Sequence, residues 1–373
     1  MGEYSTLITK GTTPRDKSGI GVVNFVKVEN LVNGDIIPLQ KIQLEEHEGY
    51  LKRSQLIEND ILFSIAGTLG RTAIVKKSIL PANTNQALSI IRGYEFDRNF
   101  LVTILRGVVV REFIKRNPTI GAQPNLSLEQ VSNLCLLTPC SEEQSAIGTF
   151  FSTLDRHITL HQRKLDKLKS VKQAYLSEMF PAEGERVPKR RFPGFTDAWE
   201  LRKFGEVVYR SNLISSSKDL PRLEFEDINS GLGTLNKDIS QKLDDRKGLE
   251  FNVGDVLFGK LRPYLKNWWY AEFKGIALGD FWNLKSDLWH SCFLYTYIQS
   301  NSFQLVANDT SGTKMPRSDW NLVAESIAKF PSLPEQEAIA AFFSTLDQHI
   351  TLHQRKLEKL KNLKKALLNE LFV

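Results

Sequence analysis

The sequence predicts an α+β fold in which two similar mixed modules are separated by two long helices, packed as an antiparallel coiled coil with pseudo-twofold symmetry. Three observations lead to this prediction. The segment Phe150–Lys169 recurs 192 positions later as Phe342–Lys361, with eighteen of twenty residues identical. Both copies carry the heptad pattern of a coiled coil. The sequences before the two copies also share weaker similarities with each other.

The first module, residues 1–138, is expected to be rich in β-structure. Glycine-containing turn sequences separate its short runs of β-prone residues, which are Val22–Val28, Asp60–Ile65, Ala73–Val75 and Ala87–Ile91. The pattern of Phe100–Arg116 predicts a helix near the end of the module.

The central helix, residues 139–181, is predicted from apolar residues that alternate at intervals of three and four between Ile147 and Met179. No proline interrupts the pattern, and no glycine follows Gly148 within it. About 39 residues at ~1.5 Å each would form a rod of about 58 Å.

Two polar residues break the apolar seam in each copy. They are His161 and Lys172 in the first and His353 and Lys364 in the second. The histidines allow two interpretations, a pH-sensitive or metal-binding pair, or a polar marker of helix register. The lysines are expected to extend out of the seam toward water.

Residues 182–333 are predicted to form a linker and the second module, and residues 334–373 the distal helix. The linker is rich in proline, glycine and charge, and its Lys189–Arg191 run is expected to be solvated, with a phosphate contact as the other interpretation. The strand-like runs are Leu249–Phe258, Trp268–Tyr270 and Gly275–Leu284, and Cys292–Ser300 is helix-like.

The two modules resemble each other at corresponding places. Asn59–Phe63 is similar to Gly254–Phe258, and Thr119–Gly121 is similar to Thr310–Thr313. Each similarity lies at about the same distance before its long helix. We therefore expect one α+β domain that is used twice with diverged surfaces.

The composition is that of a globular protein with a basic surface. The chain has 373 residues, of which 41% are hydrophobic, and a formal net charge of +6, so two or more domains are expected. The charge suits a nucleic-acid partner without requiring one. Three cysteines without metal-ligand spacing favour a reduced, cytoplasmic location, and neither a signal peptide nor a membrane span is predicted.

The motifs of common catalytic sites are absent from the sequence. Gly254–Lys260 matches the start of a P-loop, but Leu261 stands where a Ser or Thr would bind Mg²⁺. Asn117–Ile120 lacks the aromatic residue on which an adenine methyltransferase stacks a flipped base. We therefore expect no catalytic residue, metal site or cofactor in this chain.

A series of short motifs runs through nearly the whole chain. They are Gly11–Arg15, Glu58–Phe63, Gly67–Gly70, Asn85–Leu88, Gly121–Ser127, Glu143-Gln144, Arg191–Trp199 and Leu333–Gln336. With the near-identical helices, their order resembles the specificity (S) subunits of Type I restriction–modification enzymes. The second module departs from the pattern, with Lys260–Pro263 in place of Gly67–Gly70 and Asp280–Trp282 in place of the Asn85-Gln86 step.

The resemblance implies a non-catalytic subunit of a multisubunit enzyme. Each module would be a target recognition domain that reads half of a bipartite double-stranded DNA site, and the helix pair would fix the spacing between the halves. Two modification subunits, which bind S-adenosylmethionine and methylate adenine, would dock on the helices. Restriction subunits that use ATP and Mg²⁺ would join further out.

Residues that can contact base edges or phosphates occur in turn-like stretches of both modules. The candidates are Arg15, Lys17, Arg71, Asn85, Gln86 and Gln123 in the first module and Lys260, Arg262, Lys266, Lys314 and Arg317 in the second. Trp268, Trp269 and Tyr270 are expected in the core rather than stacked on DNA.

Exposed positions of the helices repeat as well, which core packing alone does not require. The repeated pairs are Thr159/Thr351, Gln162/Gln354, Arg163/Arg355 and Lys164/Lys356. Identical surfaces suit two copies of one partner, and a recent duplication without a surface role is the other interpretation. Two further functions remain open, a coiled-coil scaffold that bridges two proteins and a stand-alone DNA-binding repressor.

Overall fold

The computed structural model describes residues 1–32, 34–116, 125–310 and 315–372. The chain divides into two compact units, which we call unit 1 (Met1–Gln162 with Lys356–Val373) and unit 2 (Arg163–Arg355). Each unit therefore contains one module together with a part of each long helix. The motif similarities at Thr119–Gly121 and at Ser311–Thr313 lie outside the described residues.

Unit 1 contains a mixed module followed by the first part of helix α5. The strands are β1 (Ser5–Lys10), β2 (Val23–Val26), β3 (Leu31–Val32), β4 (Asp35–Ile36), β5 (Gln40–Ile42), β6 (Ile61–Ser64), β7 (Thr72–Ile74), β8 (Ala82–Thr84) and β9 (Leu88–Tyr94). The helices are α1 (Leu44–Glu48), α2 (Arg98–Leu105), α3 (Val108–Arg116), α4 (Leu128–Ser132) and α5 (Ser141–Glu178).

Unit 2 contains the rest of α5, the second module and most of the last helix. The strands are β10 (Glu200–Lys203), β11 (Tyr209–Ser211), β12 (Ile214–Ser215), β13 (Arg222–Leu223), β14 (Ile228–Asn229), β15 (Thr234–Leu235), β16 (Gly248–Phe251), β17 (Val256–Gly259), β18 (Trp268–Tyr270), β19 (Gly275–Ala277), β20 (Phe281–Lys285) and β21 (Ile327–Phe330). The helices are α6 (Phe204–Val207), α7 (Ser291–Tyr297), α8 (Asn301–Ala307), α9 (Trp320–Glu325) and α10 (Leu333–Leu371).

The two modules share a sheet topology. Unit 1 has a four-stranded antiparallel sheet in the order β1-β9-β6-β7, and unit 2 has one in the order β11-β20-β17-β18. Each module also contains a parallel pair, β2 with β8 and β13 with β19. The predicted α+β class, with one domain used twice, is confirmed.

Three of the predicted elements are each divided in two by a local turn. Leu249–Phe258 forms β16 and β17, because Asp255 accepts a hydrogen bond from the backbone of Asn252 and Gly254 has a φ of +85°. The predicted Gly275–Leu284 strand is interrupted at Gly279, where φ is +100°. The predicted Phe100–Arg116 helix is interrupted at Gly107, which separates α2 from α3.

The long helices bury the apolar seam that the heptads predict. Phe151 and Leu154 join the core of unit 1 together with Leu368, and Leu176 joins the core of unit 2 together with Phe343. In unit 1 the two helical segments are antiparallel, since Phe372, at the end of α10, lies next to Phe151, near the start of α5.

The expectation that the seam lysines extend into water is wrong. Lys172 is 8% exposed, and its Nζ lies 2.6 Å from Oδ1 of Asp347 and 2.7 Å from Oε1 of Gln299. Lys364 is half-buried and pairs with Asp155. Each lysine forms an ion pair with an aspartate of its own unit. Because this pair compensates the charge, the side chain does not need to extend into solvent.

Candidate functional site

One polar cluster fixes the first module to the helices of unit 1. Asp155 of α5 accepts hydrogen bonds from Lys364 of α10 and, at 3.3 Å, from Nη1 of Arg106, which follows α2. Nη2 of Arg106 also donates to the carbonyl of Thr72 at 2.7 Å. Burial lowers the pKa of Arg106 from its ordinary value, and the nearby Asp155 opposes this shift only in part.

Unit 2 contains the equivalent cluster with one change. Lys172, Asp347 and Gln299 occupy the places of Lys364, Asp155 and Arg106, so a neutral amide replaces a guanidinium. Burial raises the pKa of the Asp347 carboxyl above its ordinary value, and Lys172 opposes this shift only in part. The repeat therefore conserves an ion pair in which each lysine meets the aspartate of the other copy.

The repeated glutamines connect α5 to the start of α2 and α10 to the start of α7. Oε1 of Gln144 accepts from the backbone of Asp97 at 3.1 Å, and Nε2 donates to the carbonyl of Pro139 at 3.0 Å. Gln336 repeats both bonds with His290 at 2.9 Å and Pro331 at 2.9 Å. The Glu-Gln motif thus has a structural role that the sequence did not reveal.

The repeated phenylalanines at the helix ends are used in the same way. The ring of Phe372 lies 6.0 Å from that of Phe100 in unit 1, and the ring of Phe180 lies 6.0 Å from that of Phe293 in unit 2. Each module is therefore held by the start of the helix that follows it and by the end of the other one.

In unit 1, two of the motifs come together at one corner of the module. The backbone N–H of Thr12 donates to the carbonyl of Thr84 at 2.9 Å, and the hydroxyl of Thr13 donates to Oε1 of Gln86. A Cβ at Gly11 would lie 2.1 Å from the Thr84 carbonyl oxygen, so this close crossing requires a glycine. Gly11–Arg15 and the Asn85-Gln86 step thereby form one surface, which we call corner 1.

Corner 1 contains three predicted site residues and one that the sequence did not single out, and the predicted Lys17 follows two positions after Arg15. Gln86, Arg15 and Lys17 are exposed, and Asn85 is half-buried. Cζ of Arg15 lies 4.3 Å from the centre of the Tyr50 ring. Nε of the exposed Arg53 donates to the hydroxyl of Thr12 at 3.1 Å, and its position in corner 1 follows from this long-range contact alone.

Arg71 is exposed and has different surroundings. Its Nη1 donates to the carbonyl of Val28 at 3.3 Å, and its side chain lines a cavity together with basic residues of α10. Two other candidates, Gln123 of the first module and Lys314 of the second, lie outside the described residues.

In unit 2, three predicted residues meet where the turn after β17 approaches the start of β20, a surface which we call corner 2. Asp280 lies 3.5 Å from Nζ of Lys260 and 3.0 Å from Nε of Arg317. The backbone N–H of Arg262 donates to the carbonyl of Pro316 at 2.7 Å, which leaves the exposed guanidinium of Arg262 at the surface. Asp280 therefore pairs with two cations on this surface, whereas corner 1 exposes amide groups and a guanidinium.

The other predicted residues of the second module are divided between surface and core. Lys266 is exposed, has a φ of +57°, and accepts a hydrogen bond from Gly231 at its carbonyl. Trp268 and Trp269 are buried and Tyr270 is half-buried, as expected for core packing.

Part of the linker is anchored rather than solvated. Arg191 binds Glu335 with Nε and Nη2, each at 2.7 Å, and Glu335 is 1% exposed. The expectation of a solvated basic run is therefore wrong for Arg191, because the bidentate pair ties the linker to the start of α10. Lys189 and Arg190 are exposed.

The repeated helix residues present the same pattern of exposure in both copies. Arg163, Lys164, Arg355 and Lys356 are exposed, whereas Thr159, Gln162, Thr351 and Gln354 are half-buried. The four basic side chains provide matching surfaces on α5 and α10.

Neither seam histidine belongs to a metal cluster in the described ranges, where no group of three or more His, Cys, Asp or Glu side chains is arranged to hold an ion. His353 is buried and His161 half-buried. Across the same part of the chain, no helix is both long enough and apolar enough to cross a membrane.

Comparisons with known proteins agree on one family. Residues 3–170 match the model of the Type I restriction modification DNA specificity domain. The chain is 23% identical over 336 residues to the Type I restriction enzyme EcoDI specificity subunit of Escherichia coli, covering 80% of this chain and 74% of that protein. Its fold is similar to a crystal structure of a Type I restriction–modification S subunit from M. genitalium, with a TM-score of 0.61, 15% identity, and coverage of 98% and 93% of the two chains. Residues 3–170 therefore match a Type I restriction modification DNA specificity domain, and most of the chain is similar to a Type I specificity subunit in sequence and to another in fold.

Proposed function

We propose that this chain is the non-catalytic subunit that reads a bipartite double-stranded DNA site and directs adenine methylation and restriction by partner subunits. Unit 1 would read one half of the site and unit 2 the other. S-adenosylmethionine, ATP and Mg²⁺ would be bound by the partners.

The observation that carries this proposal is a constant framework with two different corners. The sheets, the Gln144 and Gln336 contacts and the lysine–aspartate pairs are the same in both units. The corners differ in the side chains that they expose. A shared framework with distinct polar side chains is what reading two different half-sites requires.

Corner 1 suits contacts to base edges because Gln86 and Asn85 offer amide groups and Arg15 a guanidinium. In corner 2, Arg262 offers a guanidinium, and Asp280 offers a carboxylate that could accept from a cytosine amino group. Lys260 and Arg317 pair with Asp280 in the free protein and would contact phosphates or base edges when DNA binds. The two corners therefore favour different sequences.

The helices supply a surface for the modification subunits. Arg163-Lys164 and Arg355-Lys356 are exposed at equivalent positions of the repeat. Two copies of one partner need two equivalent surfaces, and these positions meet that need. Acidic patches on the partner would complement them.

The proposal is tested by expressing the chain with its candidate modification subunit and mapping methylated adenine across the host genome. We expect one new motif with two short half-sites separated by a fixed gap. A stable complex that produces no motif would support the scaffold function instead. Tight, specific binding to DNA by the chain alone would support the repressor.

Contact with the modification subunit is tested separately by charge reversal. We expect Arg163→Glu/Lys164→Glu and Arg355→Glu/Lys356→Glu each to remove one of two bound partners, measured as the mass of the complex. Gln348→Glu, an exposed charge change on the same helix, is the control. Loss of neither partner would show that the docking surface lies elsewhere.

A further inference from the structure

Unit 1 contains an open cavity of about 680 Å³ that lies between the first module and its two helical segments. Its walls carry one carboxylate, Asp155, and six cationic side chains. The cationic residues are Arg71, Arg106, Arg111, Lys361, Lys364 and Lys365. This is a strong local excess of positive charge for a cavity of the size that small ligands occupy.

Little inside the protein neutralises this charge. Asp155 is shared between Lys364 and Arg106. Arg111 has a neutral partner, with its Nη2 3.4 Å from Oδ1 of Asn369. In the part of the chain that the structure describes, no ion pair involves Lys361 or Lys365, and both are exposed.

The equivalent positions of unit 2 show that the fold does not need these charges. The strand registers align Arg71 with Asn267, and the helix repeat aligns Lys365 with Gln173. The equivalent starts of α2 and α7, at Asp97 and His290, align Arg106 with Gln299 and Arg111 with Gln304. Four of the six cations are therefore replaced by neutral amides, while the lysine–aspartate pair that holds the helices is kept.

The same place in unit 2 is also more buried. Asn267 and Gln299 are buried, whereas Arg71 is exposed and Arg106 is half-buried, and the side chain of Lys172 is 11% exposed against 21% for that of Lys364. A structural role alone would give both units the same buried cluster. Extra cations on an open wall of unit 1 indicate a ligand that unit 2 does not bind.

We propose that this cavity is an anion-binding site of unit 1 that takes phosphate groups, supplied either by the DNA backbone or by a free polyphosphate ligand. Arginine and lysine side chains that converge in excess over their carboxylate partners bind phosphate through charge-assisted hydrogen bonds. The site does not depend on reading a DNA sequence, so it stands apart from the function proposed above.

The test is calorimetric titration of the full-length chain with tripolyphosphate at low ionic strength. Arg111→Gln/Lys365→Gln copies the two glutamines of unit 2 at exposed positions, so folding is expected to be unchanged. The matched control, Lys167→Gln/Lys169→Gln, removes two exposed lysines from α5 within unit 2. We expect affinity to fall about tenfold or more in the first double variant and to stay within about twofold in the control.

The source of the phosphate is distinguished by competition with a DNA duplex of unrelated sequence. Displacement of tripolyphosphate by the duplex assigns the site to the DNA backbone, and retention assigns it to a free phosphate ligand. The proposal is overturned if the wild type takes up no tripolyphosphate, or if both double variants weaken equally. Tighter binding of a polyglutamate peptide would also overturn it, in favour of an acidic protein partner. None of these results depends on whether the chain reads a bipartite site.

Discussion

At the scale of single residues, the repeated glutamines explain why a short Glu-Gln motif precedes each helix. Gln336 is 2% exposed and makes one hydrogen bond with each end of its amide. Replacing it leaves the backbone N–H of His290 and the carbonyl of Pro331 without this partner, which is costly where water has no access.

We expect Gln336→Ala to lower the free energy of unfolding of unit 2 by about 1–3 kcal/mol. All six tryptophans lie within Arg163–Arg355, so urea unfolding followed by their fluorescence reports on unit 2. Gln348→Ala, at an exposed position of the same helix, should change stability by no more than about 0.5 kcal/mol. Equal effects of the two substitutions would mean that the amide contacts contribute nothing.

The two seam lysines should differ in importance although the repeat makes them equivalent. In Lys172→Met, the half-buried Asp347 loses its cationic partner, and we expect the free energy of unfolding of unit 2 to fall by about 3–5 kcal/mol. In Lys364→Met, Arg106 still pairs with Asp155, so a smaller loss of about 1–2 kcal/mol is expected. The stability of Lys364→Met is measured by hydrogen exchange of the backbone amides of α2, and that of Lys172→Met by urea unfolding followed by tryptophan fluorescence. A larger loss in Lys364→Met would contradict this account.

The decrease in the free energy of unfolding caused by Lys172→Met should depend on pH. Burial raises the pKa of Asp347 above its ordinary value of 3.8, and the variant lacks the lysine that lowers it. A carboxyl whose pKa is raised on folding favours the folded state most at pH below the unfolded value, and this contribution is lost as pH rises through the folded value. The stability gap to the wild type should therefore narrow as pH falls from 7 toward about 4. A gap that widens on acidification would refute the assignment to Asp347.

At the scale of elements, α5 approaches α2 at one glycine. A Cβ at Gly148 would lie 2.5 Å from Oδ1 of Asp97 and 2.6 Å from the backbone nitrogen of Phe100, two atoms whose hydrogen bond caps the start of α2. The close contact therefore requires a residue without a side chain, although glycine is unfavourable within a helix.

We expect Gly148→Ala to destabilise unit 1 by about 1–3 kcal/mol, because the methyl group forces the two helices apart. The measurement is hydrogen exchange of the amides of α2, which should become faster. Ser152→Ala, at an exposed position one turn later on α5, should leave that exchange unchanged. Slower exchange in Gly148→Ala would show that helix propensity outweighs the close contact.

The elements that the sequence predicts well are those set by local periodicity. The heptads place α5 and α10 within a few residues of their observed ends, and the repeated strand motifs locate β6 and β17. The hydrophobic pattern alone predicts one continuous element across Gly107 and another across Gly279, but a turn at each glycine divides the element in two. The role of Gln144 could not be predicted, because its partner Asp97 lies 47 residues away and is joined to it only by the fold.

The candidate site shows the same division. Residue type and motif order selected Arg15, Gln86 and Arg262 as surface residues near turns, which they are. Their grouping into two corners depends on long-range contacts such as the one between Thr12 and Thr84. The pairing of Asp155 with Lys364 had a signal in the sequence, since both residues recur 192 positions apart as Asp347 and Lys172.

At the scale of the whole molecule, the internal repeat separates what is constant from what varies. Contacts between modules and helices occur twice with the same residue types, and the corners differ. Under the function that we propose, such a molecule would change one half of its recognised sequence and leave the other half intact, because neither corner takes part in the repeated contacts.

The most direct test of that claim is to map methylated adenine with two double variants, each expressed with the modification subunit. Arg15→Ala/Gln86→Ala should relax one half-site and leave the other half and the gap unchanged. Arg262→Ala/Arg317→Ala should relax the opposite half. If either variant relaxed both halves, or if both variants relaxed the same half, the assignment of one half-site to each unit would be contradicted.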